Sequence, residues 1–357
     1  MSAFMLKTMM DFRSLLLASL LGLPALPLAA GDKELWVEVK SPHFVALSDA
    51  GESEARTALG RFEEIRNVFR GVFPNLRVDS GRPLTLLVLR DQASMRRFLP
   101  RQFEGKDPAL PGGWFSQTED QDYAVLRLDV PRTSEHPYFV LYHEYTHGII
   151  HANFANTPVW LDEGIADFYG ATEILKDKVL IGRPPESHVR RLQESALLPP
   201  DIFFAVDHQS PHYRDGGKRG LFYSQSWAAV HYLFSEPEAL KSDLLRKLMQ
   251  AQGASADPLA APQAAFGDPK AFLGKVNAYI RRGAFRYLTY GLSARLSDRD
   301  FTAKQLGRAE ALVVRAEFLS RAQPSQAALP LLQEALALDP GLARAHAALG
   351  FHHYREG

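Results

Sequence analysis

Two histidines four residues apart, in the run His143-Glu144-Tyr145-Thr146-His147, are the first residues in the chain whose types and spacing suggest chemistry. The surrounding pattern predicts a helix, and positions i and i+4 of a helix share a face about one turn apart, so both imidazoles can hold one cation. Glu144 then stands beside the coordination position left open, where a carboxylate can take a proton from water. Taken alone, the same five residues also fit a solvated helix face with two incidental histidines. A second segment adds weight. Trp160-Leu-Asp-Glu163-Gly-Ile-Ala-Asp167-Phe-Tyr-Gly170 reads as another helix, reached through a short turn that contains Asn153, Asn156 and Pro158. A turn returning the chain antiparallel brings Glu163 opposite the histidines, completing a set of two histidines and one glutamate with a position left for water. Asp167 lies one turn beyond on the same face and can hold the outer nitrogen of a ligating histidine; the plainer alternative is a carboxylate exposed to solvent.

The 357 residues include no cysteine, which excludes disulfides and thiolate ligands and leaves His, Asp and Glu to bind a metal. The expected cofactor is one Zn2+ ion at His143, His147 and Glu163. Forty-one basic and 41 acidic residues cancel, so no global field points to nucleic acid or to an anionic membrane. At the amino terminus, Lys7 and Arg13 precede an apolar run from Leu15 to Leu28, broken by Pro24 and Pro27 and followed by Ala29-Ala30-Gly31. That order reads as a signal peptide over 1–30 and an exported, periplasmic or secreted protein, with no stable membrane span after its removal; the alternatives are an uncleaved anchor or a buried helix.

On His143 to His147 followed by Glu163-Gly-Ile-Ala-Asp167, the chain resembles the glutamate-zincins, the peptidase MA-like families. The resemblance implies zinc ligation by Glu163, support of a histidine by Asp167, and hydrolysis of peptide bonds with Glu144 as general base. It covers about Tyr138 to Gly170. A looser part, Tyr223-Ser-Gln-Ser226-Trp-Ala-Ala-Val-His-Tyr-Leu233, is similar to a helix found downstream in bacterial MA-like proteins that carry tetratricopeptide repeats. It makes Tyr223 a candidate donor to a developing oxyanion, against the alternative of a packing residue at a helix start.

The elements that must position these residues read as an α+β chain. Strand signals at Trp36–Leu47, Leu84–Leu89, Trp114–Phe115 and Tyr123–Val130, with helices at 52–73 and up to Pro100, make 31–135 an α/β subdomain. The strand at Tyr123 to Asp129 is expected at the sheet edge, where an extended peptide substrate could pair with it. Residues 136–300 are expected to form a mostly helical catalytic subdomain, with Ser134 and Pro137 opening its first helix and further helices over 186–196, 221–234, 236–251 and 270–281. Ala254 to Ala265 reads as a long loop. From 301 to 357, Ala316, Ala328, Ala335, Pro340 and Gly350 suggest an incomplete tetratricopeptide-like tail and a possible protein partner; a plain alanine-rich hairpin is the alternative. Two other functions use the same residues: a scaffold whose metal site is structural or inactive, and a hydrolase of a non-peptide amide such as a cell-wall link.

Overall fold

In the computed structural model, which describes residues 35–79, 81–99, 112–130, 138–291, 296–322 and 326–356, the first alternating segment folds into two antiparallel strands, β1 (Trp36–Lys40) and β2 (Val45–Ser48). The expected signal segment, Ser134 and Pro137 lie outside these residues. Helix α1 (Glu52–Val72), β3 (Leu84–Leu89), α2 (Gln92–Phe98), β4 (Gly113–Gln117) and β5 (Asp122–Arg127) complete the amino-terminal part. Next come the helical hairpin α3 (Phe139–Asn153) and α4 (Val159–Gly170), strands β6 (Glu173–Ile174) and β7 (Lys178–Ile181), and helices α5 (Glu186–Glu194), α6 (Pro200–Phe203), α7 (Pro211–Arg214) and α8 (Gly216–Ser235). Helices α9 (Pro237–Lys241), α10 (Leu244–Ala251), α11 (Ala260–Phe266) and α12 (Pro269–Arg282) lead to β8 (Leu288–Gly291), β9 (Thr302–Leu306) and three last helices, α13 (Arg308–Ala322), α14 (Ala328–Leu338) and α15 (Ala343–Glu356). The protein is thus mixed α+β.

The main sheet has the order β4-β5-β3-β2-β1-β9, with β2, β3 and β5 parallel and the outer pairs antiparallel. The run of β3, apolar except at Thr85, reflects burial on both faces. Leu84, Leu86 and Val88 turn toward the core shared with α1 and α3, while Leu87 and Leu89 turn toward α2 and α13. On that second face Phe318 packs against Phe98 and Tyr123, with ring centroids 5.6 and 5.1 Å apart. The segment after residue 300 therefore starts as a strand of the amino-terminal sheet and continues as a helix that covers it. Its three helices share a small-residue core of Ala316, Ala328, Leu332 and Ala335.

Four expectations are corrected. Tyr123 to Asp129 is no edge: β5 lies between β3 and β4 with all six of its residues buried, and the edge on that side of the sheet is β4. The helix expected over 236–251 breaks into α9 and α10 where Asp243 takes the left-handed conformation, φ 54°, which a short polar side chain tolerates. The Ala/Pro-rich loop contains α11, whose exit is made by Gly267 at φ 78°. Helix α8 begins five residues ahead of Leu221, because the Asp215 carboxylate accepts from Gly217 N at 2.9 Å and caps it despite the glycines. A small sheet, β6-β7-β8, had no counterpart in the sequence pattern. Among the described residues, no helix is long and apolar enough to cross a membrane.

Candidate metal centre

Helix α3 is buried nearly all round, with Leu141, Tyr142, Tyr145 and Ile149 in the core and its histidines turned toward α4. The two helices run close together: a Cβ on Gly170, the last residue of α4, would lie 3.2 Å from Phe139 O and 3.3 Å from His143 Cβ. That antiparallel register lines His143, His147 and His151 against Asp167, Glu163 and Asp162. His143 Nδ1–H donates to Asp167 Oδ1 at 2.8 Å, and His147 Nδ1–H donates to Asp162 Oδ1 at 2.9 Å. A carboxylate only accepts, so these bonds fix the tautomer of each neutral ring and leave its Nε2 with a lone pair.

The two lone pairs converge. His143 Nε2 and His147 Nε2 are 3.0 Å apart, and Glu163 Oε2 lies 3.3 and 3.4 Å from them. Glu163 Oε2 is buried with no hydrogen-bond partner. Three acceptors facing one another repel unless positive charge stands between them. Ligands about 2.0–2.1 Å from a tetrahedral centre are separated by about 3.3 Å, which is close to this triangle, so these three residues could hold a metal ion. The electrostatics show the same demand for positive charge, which protons on the neutral rings can also meet. Burial works against a charged His147, yet the Asp162 and Glu163 carboxylates outweigh it and push the ring up to about 9. His143 is raised well above its usual value against the same opposition, by Asp167 and Glu163. Burial opposes ionisation of Glu163, but the two imidazoles hold its carboxyl well below the usual range.

Around the triangle stand the remaining expected residues. Glu144 is half-buried on α3, and burial raises its carboxyl against the pull of His143 and His147. Helix α8 carries Tyr223, whose ring lies parallel to that of His143 at 6.3 Å and 12°. Burial, then the charge of Glu163, pushes the Tyr223 phenol far above its usual value, so it stays a donor. Helix α8 comes this near because Gly164, next to Glu163, has no side chain: a Cβ there would fall 2.4 Å from Ser226 O. All six residues singled out in the sequence thus gather at one place.

Sequence reasoning missed three others. Asp162 adjoins Glu163 and also accepts from His151 Nε2 at 2.9 Å; the spacing of His143, His147 and His151 at i, i+4 and i+8 was its signal. His188 of α5 donates through Nε2 to Asp167 Oδ2 at 2.9 Å, while its Nδ1 meets Ser224 Oγ at 3.0 Å. Nothing local marks His188, since only the fold brings it to Asp167. Tyr213 on α7 lies against Tyr223 at 6.2 Å, and burial with the charge of Glu163 pushes it up to about 12. No protein-family model matches the chain, and no curated protein matches it either.

Proposed function

We propose that the chain is a zinc-dependent peptidase of the glutamate-zincin kind, with His143, His147 and Glu163 as ligands and Glu144 as general base. The observation that carries this reading is the triangle of two imidazole nitrogens and one buried carboxylate oxygen, each imidazole oriented by its own aspartate. A structural site has little use for a carboxylate such as Glu144 at its open side, or for phenols kept protonated beside it.

A zinc ion held there supplies Lewis acidity toward a carbonyl and makes water more acidic. Within this scheme Glu144 takes the proton from the attacking water and returns it to the departing amine nitrogen, so that water adds across the C–N bond and the carboxylate ends unchanged. The Tyr223 hydroxyl donates a hydrogen bond to the carbonyl oxygen as negative charge develops there. Asp162 and Asp167 hold the imidazoles against rotation. An extended substrate adds to the sheet at β4, since that edge runs beside the start of α3: a Cβ on Gly113 would lie 3.4 Å from both Val140 and Leu141. In the protein's biology, the proposed partner is thus a peptide or protein substrate, and the carboxy-terminal helices offer a second protein-binding surface.

Elemental analysis and casein or peptide-library cleavage on the same samples test this reading. Wild type is expected to carry about one zinc per chain and to cleave. Glu144→Ala should keep the zinc and lose cleavage, by about 100- to 10,000-fold, whereas Glu163→Ala should lose the zinc. A wild type that binds no zinc refutes the metal assignment; one that binds zinc and cuts nothing refutes the peptidase.

A further inference from the structure

None of the proposed ligands lines an apolar cavity that is built on the same two helices. This cavity, about 360 Å³ in volume, is walled by Ile150 of α3, Ile165 of α4, Phe69 and Phe73 at the end of α1, and Met249 of α10. An apolar hollow of about 150 Å³ is enough for benzene, so on that scale this one has room for a chain of roughly twelve carbons. The wall is not wholly apolar. Thr157 Oγ1 lies in it, buried and with no hydrogen-bond partner, able to donate to a carbonyl or carboxylate oxygen.

Phe73, Pro74 and Leu76 also border a second, polar hollow that contains Arg66, Arg70 and Arg77. Arg66 is taken up by Asp79, through two hydrogen bonds of 2.7 Å. Arg77, an exposed residue, donates from Nη2 to Ala152 O at 2.5 Å. Arg70 is exposed and makes no ion pair with another described residue. An apolar slot thus adjoins a hollow whose cations exceed its single carboxylate, with shared walls between them. Such a pair of surfaces complements a molecule that is apolar along its length and anionic at one end.

We propose that these two hollows form a binding site for a single-chain anionic amphiphile, a fatty carboxylate of medium length, with its chain against Phe69, Ile150 and Met249 and its head at Arg70 and Arg77. The site is separate from the metal centre and does not depend on its function. Only an aliphatic chain uses the volume, and only an anionic head uses the arginines. Each half can therefore be removed without the other.

Isothermal titration calorimetry of the full purified chain with dodecanoate, below its micellar concentration, tests the site. One dodecanoate should bind per chain, and dodecyltrimethylammonium should bind at least tenfold more weakly. Arg70→Glu should weaken dodecanoate about tenfold, because a charge-assisted contact becomes a repulsive one. Met249→Trp and, as a milder second variant, Ile150→Phe should fill the slot and remove binding while the circular dichroism of the chain stays unchanged. EDTA-treated protein should bind as well as untreated protein, so a failed peptidase reading would leave this result intact. Equal binding of the cationic amphiphile, indifference to Arg70→Glu, binding that survives in both filled variants, or no binding at all would each overturn the proposal. A chain that is dimeric by light scattering and becomes monomeric in Met249→Trp would overturn it too, by showing that a second copy occupies the slot.

Discussion

Buried histidines sit at two places in this protein, and their surroundings drive them in opposite directions. His231, on α8, is fully buried, with Nε2–H donating to Gly182 O at 2.7 Å and Nδ1 accepting from Tyr279 at 2.6 Å. Burial pushes it down to about 4, since every partner is neutral. His147 is almost as buried, yet its carboxylate neighbours push it up to about 9. The contrast separates burial from electrostatic surroundings. A histidine that only fills a core ends up neutral and satisfied, whereas the interface between α3 and α4 gathers three carboxylates around three imidazoles and favours positive charge. A fold gains nothing in packing from that arrangement, because replacing buried charge by apolar side chains is often neutral or stabilising. The α13–α14 hairpin, closed by alanine and leucine with its Arg308–Glu334 ion pair at the exposed surface, shows that the same chain can pair helices without buried charge.

The contrast breaks most completely if the aspartates are removed. Asp162→Asn with Asp167→Asn should lower zinc affinity by about 100- to 10,000-fold, taking about 10- to 100-fold for each outer partner, as measured by competition with a chelator. An unchanged affinity would mean that the carboxylates do not orient the imidazoles. Next in size is the response of His231 to acid. Its folded value of about 4 lies below the unfolded value of about 6.5, so above pH 6.5 the ring is neutral in both states and contributes no pH dependence. Below pH 6.5 the unfolded chain takes up a proton that the folded chain refuses, so stability falls until about pH 4, by about 3 kcal/mol in all. Urea unfolding of EDTA-treated protein at pH 7 and 4.5 should show this loss in wild type and a smaller one in His231→Gln; equal losses would sink the assignment. The smallest effect belongs to Tyr279→Phe, which removes a neutral hydrogen bond and should cost about 1 kcal/mol without altering zinc content.

How far the sequence reaches depends on how local each signal is. His143, Glu144 and His147 share one helix, and Glu163 follows by a single turn, so periodicity alone placed them. Asp162 stood in the same motif but was not singled out as Asp167 was, although the structure pairs each aspartate with one histidine of the proposed ligand set. His188 depends on α5 packing against α8, which no spacing encodes. Among the strands, alternation located β5 but could not say which neighbours it takes, so its place inside the sheet had to come from the long-range pairing with β3. The break at Asp243 and the short α11 escaped for the opposite reason: their signals are single residues, a left-handed aspartate and a glycine exit, too small to outweigh the helix and loop patterns around them.

Strand β9 brings one further consequence. Thr302 pairs with Lys40 and Leu306 with Trp36, so the outer side of β1 is covered by chain made about 260 residues later. During synthesis the first strand emerges long before its partner, and until residue 306 is available β1 presents unpaired amide and carbonyl groups to any other strand. Folding of the sheet therefore finishes at β1, the earliest made of its described strands. Such a protein is at its most vulnerable to mispairing while nascent, and holding it unfolded until translation ends would protect it.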